Sequence, residues 1–137
     1  MLISSKGRYA LLIMLELASH RGRDLPVRQI AEELELSEKY LARIMASLMQ
    51  AGLIAGTHGK GGGYRLVRLP NEYTIGQIVR AADGSVSSIG EAQLLPRELS
   101  CGAGRIWQQL DAQIAQYLDS VTLASLSPVD AADEYVI

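Results

Sequence analysis

The stretch from Pro26 to Tyr64 constrains this chain most, because two short amphipathic helical periods, split by a tight turn, run directly into a glycine-rich hairpin. Val27, Ile30, Ala31 and Leu34 recur at helical spacing and form one buried stripe on a short helix. Pro26 suits the first turn of that helix, where its missing N–H costs nothing. Leu36-Ser37 breaks the period, and Ser37 is placed to cap a second helix by accepting from an orphan backbone N–H. On the second helix Leu41, Ile44, Met45 and Leu48 share one face, and Gly52 stands where a C-terminal stop is expected. The opposite face carries Lys39, Arg43, Ala46 and Gln50. A cationic rod held by apolar anchors fits a DNA major groove, which admits one α-helix.

Beyond Gly52, Leu53-Ile54-Ala55 and Tyr64-Arg65-Leu66-Val67 are β-type runs joined by Gly56-Thr57-His58-Gly59-Lys60-Gly61-Gly62-Gly63, which reads as the wing of a winged helix. A phosphate loop is excluded, since Gly-Lys is followed by glycine and a strand rather than by Ser or Thr and a helix. A dinucleotide fingerprint is excluded too, because it needs glycine where Tyr64 stands. Bare backbone at the tip is expected to let the wing approach DNA closely, with His58 and Lys60 entering or flanking the minor groove.

The 137 residues suffice for one compact domain, or for a small domain with a dimerisation arm. A net charge of −2 seems wrong for a DNA binder until the chain is divided. Residues 1–69 hold ten Lys/Arg against six acids, whereas residues 70–137 hold three against nine, so the halves carry +4 and −6. The first half can track phosphates and the second is repelled by them. The apolar run Tyr9 to Leu15 is too short to span a bilayer, and a cytosolic protein with no membrane partner is expected. One cysteine, Cys101, rules out an internal disulfide.

Ser4-Ser5-Lys6-Gly7-Arg8 precedes a helix, about Gly7 to Ser19, so apolar that burial nearly all round is expected, partly against a second subunit. Ser5, Lys6 and Arg8 at its start are expected on DNA phosphates, as helix N-termini allow, with plain capping as the competing reading for the serines. Thr74 caps a helix from Ile75 to Ala82 that Gly84 stops. Residues 85–101 lack a sustained period and read as an extended linker with one helical turn near Glu91 to Leu94. From about Gly102 to Ser120 a long helix carries Ile106, Trp107, Leu110, Ile114, Tyr117, Leu118 and, just beyond, Val121, a stripe the chain has too little of its own surface to cover. A second copy presenting the same helix would bury it. The predicted fold is mainly α with a small β-hairpin wing: a winged helix-turn-helix over residues 1–84, a linker over 85–101, a dimerisation helix and short terminal helix over 102–127, and an acidic tail over 128–137.

Ile3-Ser4-Ser5-Lys6-Gly7-Arg8-Tyr9-Ala10, Ser37-Glu38-Lys39-Tyr40-Leu41, Ala51-Gly52-Leu53-Ile54, Gly61-Gly62-Gly63-Tyr64 and Val121-Thr122-Leu123 together resemble the Rrf-two family of bacterial transcription regulators. The resemblance implies a homodimeric winged helix on a near-palindromic operator, usually as a repressor, with the long C-terminal helices crossing at the dimer interface. The iron–sulfur branch of that family places three cysteines in and before the start of the long helix and a histidine shortly after. Here Cys101 alone matches, six residues before Trp107, and Gly104 stands at the histidine position. Thiolates supply most cluster bonds, so no cofactor and no metal site is expected. A cluster with unusual ligands, or one shared by both subunits, is the alternative. Lys39, Ala42 and His58 depart from that branch at DNA-reading positions, which implies a different operator.

The cluster-lacking, CymR-type branch, which represses cysteine metabolism, is more similar: its chain also ends on Tyr-Ile after an acidic stretch, like Tyr135-Val136-Ile137. That resemblance implies docking of the tail into cysteine synthase, a carboxylate-capture mode seen elsewhere; the competing reading is a disordered acidic end. Cys101 is the candidate oxidation sensor, against an inert thiol.

The expectation is therefore a sequence-specific regulator of double-stranded DNA. Lys39, Tyr40 and Arg43 are expected on base edges, and Ser5, Lys6, Arg8, Arg28, Ser37, His58 and Lys60 on the backbone or in the minor groove. No Ser/His/Asp set, paired carboxylates or metal-ligand spacing favours an enzyme. A winged-helix scaffold that works without DNA is the other competing class.

Overall fold

A computed structural model describes residues 3–90 and 92–126. Helix α1 (Ser5–Ser19) starts because the Ser4 side chain accepts from the Gly7 N–H at 3.2 Å. It is the spine of the subunit, burying Ala10, Ile13, Met14 and Leu17. Within the single chain Leu12 is 43% exposed and Leu11 and Leu15 are half-buried, which leaves the part of α1 expected to meet a second subunit uncovered. Helices α2 (Val27–Leu34) and α3 (Glu38–Gln50) follow, then strands β1 (Ile54–Thr57) and β2 (Gly63–Leu66), paired antiparallel with Ile54 opposite Leu66 and Thr57 opposite Gly63. Pro26 lies one residue outside α2, at the cap position with ψ 145°, rather than in its first turn.

Helix α4 (Ile75–Asp83) is closed at its start by a reciprocal cap. The Gln77 N–H donates to the Thr74 hydroxyl at 3.2 Å, and the Thr74 N–H donates to the Gln77 side chain at 3.0 Å. Ile75, Ile78 and Val79 are buried against α1 and α3. At the other end of α4 the Asp83 carboxylate accepts from the Ser4 N–H at 3.0 Å and from the Ser4 hydroxyl, which ties α4 to the start of α1.

The core is aliphatic except for Tyr73, the largest fully buried side chain. Its hydroxyl donates to the Leu53 carbonyl at 2.7 Å and accepts from the Val67 and Arg68 N–H groups at 3.1 and 3.0 Å. One side chain thus clamps the residue before β1 to the residues after β2, at the base of the wing.

The segment read as an extended linker is folded back on the last long helix, α6 (Ala103–Ser120). Residues 92–94 are not helical, Glu91 lying outside the described residues, and the helical turn is at α5 (Pro96–Ser100), where proline opens the helix and Glu98 reaches back to the Leu95 N–H at 2.8 Å. The Ser88 N–H donates to Asp111 at 2.6 Å and the Trp107 indole N–H to Glu98 at 3.2 Å, so both ends of the segment grip α6. The C-terminal half of α6 packs on α4, with Arg80 and Asp119 in an ion pair. Beyond it the Leu123 N–H donates to the Tyr73 carbonyl at 3.0 Å.

Candidate nucleic-acid interface

The turn between α2 and α3 is sharp because Glu35 adopts a left-handed conformation, φ 55°, and its N–H closes α2 on Ala31 and Glu32. Two residues later the Ser37 hydroxyl accepts from the Tyr40 N–H at 3.1 Å and opens α3. Leu41, Ile44, Met45 and Leu48 are wholly buried, which fixes the helix by one face. The other face presents Lys39, Ala42, Arg43, Ala46 and Gln50, all exposed. The alanines keep it low, so the long cations stand clear. Tyr40 sits at the edge of this face, half-buried, its ring edge-on to Tyr9 of α1 at 6.0 Å. At the far end Gly52, φ 75°, passes the chain through a left-handed step. Its N–H then meets the Met49 carbonyl at 2.9 Å and the Leu53 N–H meets the Leu48 carbonyl at 3.0 Å, which stops the helix and aims the chain into β1.

The wing is stiffer than its composition implies. Leu25, in the approach to α2, exchanges two 2.8 Å backbone hydrogen bonds with Tyr64 and adds a third, one-residue edge to the hairpin. The Asp24 carboxylate accepts from the Thr57 hydroxyl at 2.5 Å and pairs with Arg65 at 3.4 Å. The glycines also have structural reasons. A side chain on Gly63 would collide with the Leu25 carbonyl and the Pro26 nitrogen, and Gly59 and Gly61 hold φ of 94° and 80° at the tip. Exposed His58 and Lys60 project from that tip.

The remaining predicted contacts are placed less uniformly. Ser5 and Arg8 are exposed and Lys6 is half-buried at the start of α1, where two of the helix's first backbone donors are already taken: the Ser4 N–H by Asp83 and the Gly7 N–H by Ser4. The Ser5 and Lys6 N–H groups, at the first two helical positions, and the side chains beside them are what a phosphate could meet. Arg28 is paired with Glu32 at 3.3 Å, with the two side chains 83% and 69% exposed, a solvated pair that holds neither tightly. Asp24 and Leu25, which brace the wing, were not singled out from the sequence; the signal was a lone apolar residue between an acid and a proline.

The apolar stripe of α6 divides into two. Leu118 and Val121 pack on the subunit's own core, Trp107 leans on α5 and Ile114 is half-buried, so these do not share one outward face with the rest. Ile106, Leu110 and Tyr117, spaced by four and seven residues, form the outward ladder and are 57%, 38% and 68% exposed. Cys101 is exposed in the step between α5 and α6. Among the described residues no three His, Cys, Asp or Glu side chains gather closely enough to hold a metal ion, and no helix is long and apolar enough to cross a membrane. Tyr135, Val136 and Ile137 lie outside the described residues.

Comparison with known proteins agrees with this geometry. The Rrf2 (Rrf-two) family model, described as "Iron-dependent Transcriptional regulator", matches residues 3–128. The HTH-type transcriptional regulator IscR of Aliivibrio salmonicida is 35% identical over 133 residues, covering 92% of this chain and 77% of that protein. Among solved structures, CymR (YrzC), the global cysteine regulator of B. subtilis, is 36% identical with a TM-score of 0.79, covering 93% of this chain and 96% of that one. IscR of T. potens is 33% identical with a TM-score of 0.75, covering 100% and 92%. With the family matched across nearly the whole chain and the helix-turn-helix, hairpin wing and long C-terminal helix all in place, this protein belongs to the Rrf2 family of winged-helix transcriptional regulators.

Proposed function

We propose that the protein is a homodimeric repressor in the cytoplasm that binds a near-palindromic operator with two copies of α3 in successive major grooves. The observation that carries this is the pairing of two unmet surfaces on one subunit. One is the cationic face of α3 beside the His58–Lys60 tip, and the other is the Ile106, Leu110, Tyr117 ladder of α6. A two-fold partner covers the second and doubles the first. Lys39, Tyr40 and Arg43 read base edges, whereas Ser5, Lys6, Arg8, Arg28, Ser37, His58 and Lys60 meet the backbone or the minor groove.

The signal is sulfur or cysteine supply, without an iron–sulfur cluster. One exposed cysteine and no grouping of three ligands among the described residues do not fit a cluster. Likeness to the global cysteine regulator supports the sulfur reading, and the terminal Tyr135-Val136-Ile137 supports cysteine synthase as the partner. Oxidation of Cys101 is the second reading, favoured by its exposure and by likeness to Staphylococcus aureus CymR, solved in an oxidised form (32% identity, TM-score 0.75).

Fluorescence anisotropy on duplex DNA from upstream of the protein's own operon tests the assignment of contacts. Arg43→Ala should cost about 1–3 kcal/mol on the operator and nearly nothing on a scrambled duplex. Lys60→Ala should weaken both alike and lower the salt slope by about one. Identical behaviour of the two variants on both duplexes would overturn the assignment.

A further inference from the structure

Away from α3, a cleft of about 530 Å³ opens between the end of α1 with the turn after it and the end of β2 with the chain after it. It is large enough for a metabolite-sized ligand. Four arginines line it, Arg21 and Arg23 from the turn and Arg65 and Arg68 from the strand side, against two acids, Asp24 and Glu72. Leu17, Leu66, Val67 and Leu69 supply an apolar wall. No residue of α3 and no residue of the wing tip takes part.

Two of the guanidinium groups are held in place. Arg68 lies over the ring of Tyr73 at 5.4 Å, and that ring is pinned by the three hydrogen bonds of its hydroxyl. Arg65 is positioned by Asp24 at 3.4 Å. Arg21 and Arg23 have no hydrogen-bond or ion-pair partner among the described residues. Preset planar forks beside free ones, with an excess of two positive charges, are what an oxyanion requires for paired N–H···O contacts.

We propose that this cleft is an oxyanion-binding site for a phosphate or carboxylate group, carried by a small ligand or by the DNA backbone. Its occupation is coupled to the wing. An oxyanion on Arg65 competes with the Asp24 carboxylate, and the same carboxylate holds Thr57 of β1. Binding therefore loosens the Arg65–Asp24 tie between the wing and the turn before α2, leaving the Thr57–Asp24 hydrogen bond and the Leu25–Tyr64 pair. This inference does not depend on the operator contacts assigned above, because its first test contains no DNA.

The experiment is a titration of the full chain with inorganic phosphate and with citrate at constant ionic strength, followed by amide NMR. Shifts confined to residues 21–24, 57 and 65–68 that saturate on one isotherm support the site. Arg23→Gln and Arg68→Gln should each weaken that isotherm about tenfold, as expected for loss of one charge-assisted interaction. Asp24→Asn, which removes the internal competitor, should tighten it. The second arm measures the salt dependence of DNA affinity with the same variants. If phosphate and citrate do not saturate but the arginine variants each lower the slope by about one, the oxyanion belongs to DNA. Non-saturating shifts together with unchanged salt slopes would overturn the proposal.

Discussion

Tyr73→Phe removes one oxygen atom from the core and should unfasten the wing at its base. The hydroxyl serves three backbone groups: it donates to Leu53 and accepts from Val67 and Arg68. Their exposures differ, and this decides the size of the effect. Leu53 is 5% exposed, so its carbonyl is left largely dry and costs about 1–3 kcal/mol. Val67 and Arg68 belong to exposed residues, so water replaces the lost acceptor at about 0.5 kcal/mol each. The sum is about 2–4 kcal/mol, with little cavity term because the ring remains. For a chain of this size that corresponds to a fall in Tm of about 10 °C. Urea denaturation should move the midpoint without changing the slope, since the surface exposed on unfolding is the same. Amide exchange should accelerate at Val67 and Arg68 before it does in α1. A loss below about 0.5 kcal/mol, or unchanged protection at those two amides, would refute the clamp.

Three further substitutions probe neighbouring features. Gly63→Ala drives a methyl group into the Leu25 carbonyl, a rigid neighbour, and should cost about 1–3 kcal/mol while weakening DNA binding through the displaced wing; calorimetry and anisotropy read the two effects. Ser37→Ala deletes the cap of α3 and should cost about 1 kcal/mol in urea melts, with a loss of DNA affinity that Ser37→Asp restores only in part because its charge faces phosphates. Glu35→Gly relieves the left-handed φ of 55° and should raise the urea midpoint by the equivalent of about 0.5–1 kcal/mol; a lower midpoint would show that Glu35 is unstrained.

The parts of this molecule that could be read from sequence are those in which several residues repeat one signal. The α3 anchors recur at helical spacing and are all wholly buried, and the cap at Ser37 and the stop at Gly52 stand where their chemistry placed them. The wing was legible from its glycines, but not their reasons: Gly63 is fixed by contact with Leu25, which lies 38 positions earlier and leaves no local trace. Tyr73 was illegible for the same cause, since a single buried residue in a connection has no period. The α6 stripe was read as one face because all seven side chains are apolar. At 100° per residue, Ile106, Leu110 and Tyr117 fall within about 40° of one another, whereas Trp107, Ile114 and Leu118 lie to one side, where Trp107 meets Glu98 of α5 and Leu118 packs on the core. The packing of residues 85–101 leaves no sequence pattern, because their ties to α6, from Ser88 to Asp111 and between Glu98 and Trp107, are isolated polar pairs.

The proposal that two copies of α3, joined through the outward ladder of α6, read one operator is tested by selecting duplexes from a random-sequence pool with the protein. An inverted repeat whose half-sites lie about one helical turn, or a multiple of it, apart should be enriched. With Ile106→Glu, which charges the ladder, the same pool should yield no paired half-sites. Enrichment of a single unrepeated site, an unchanged repeat with the Ile106→Glu protein, or no enrichment by the intact chain would contradict it.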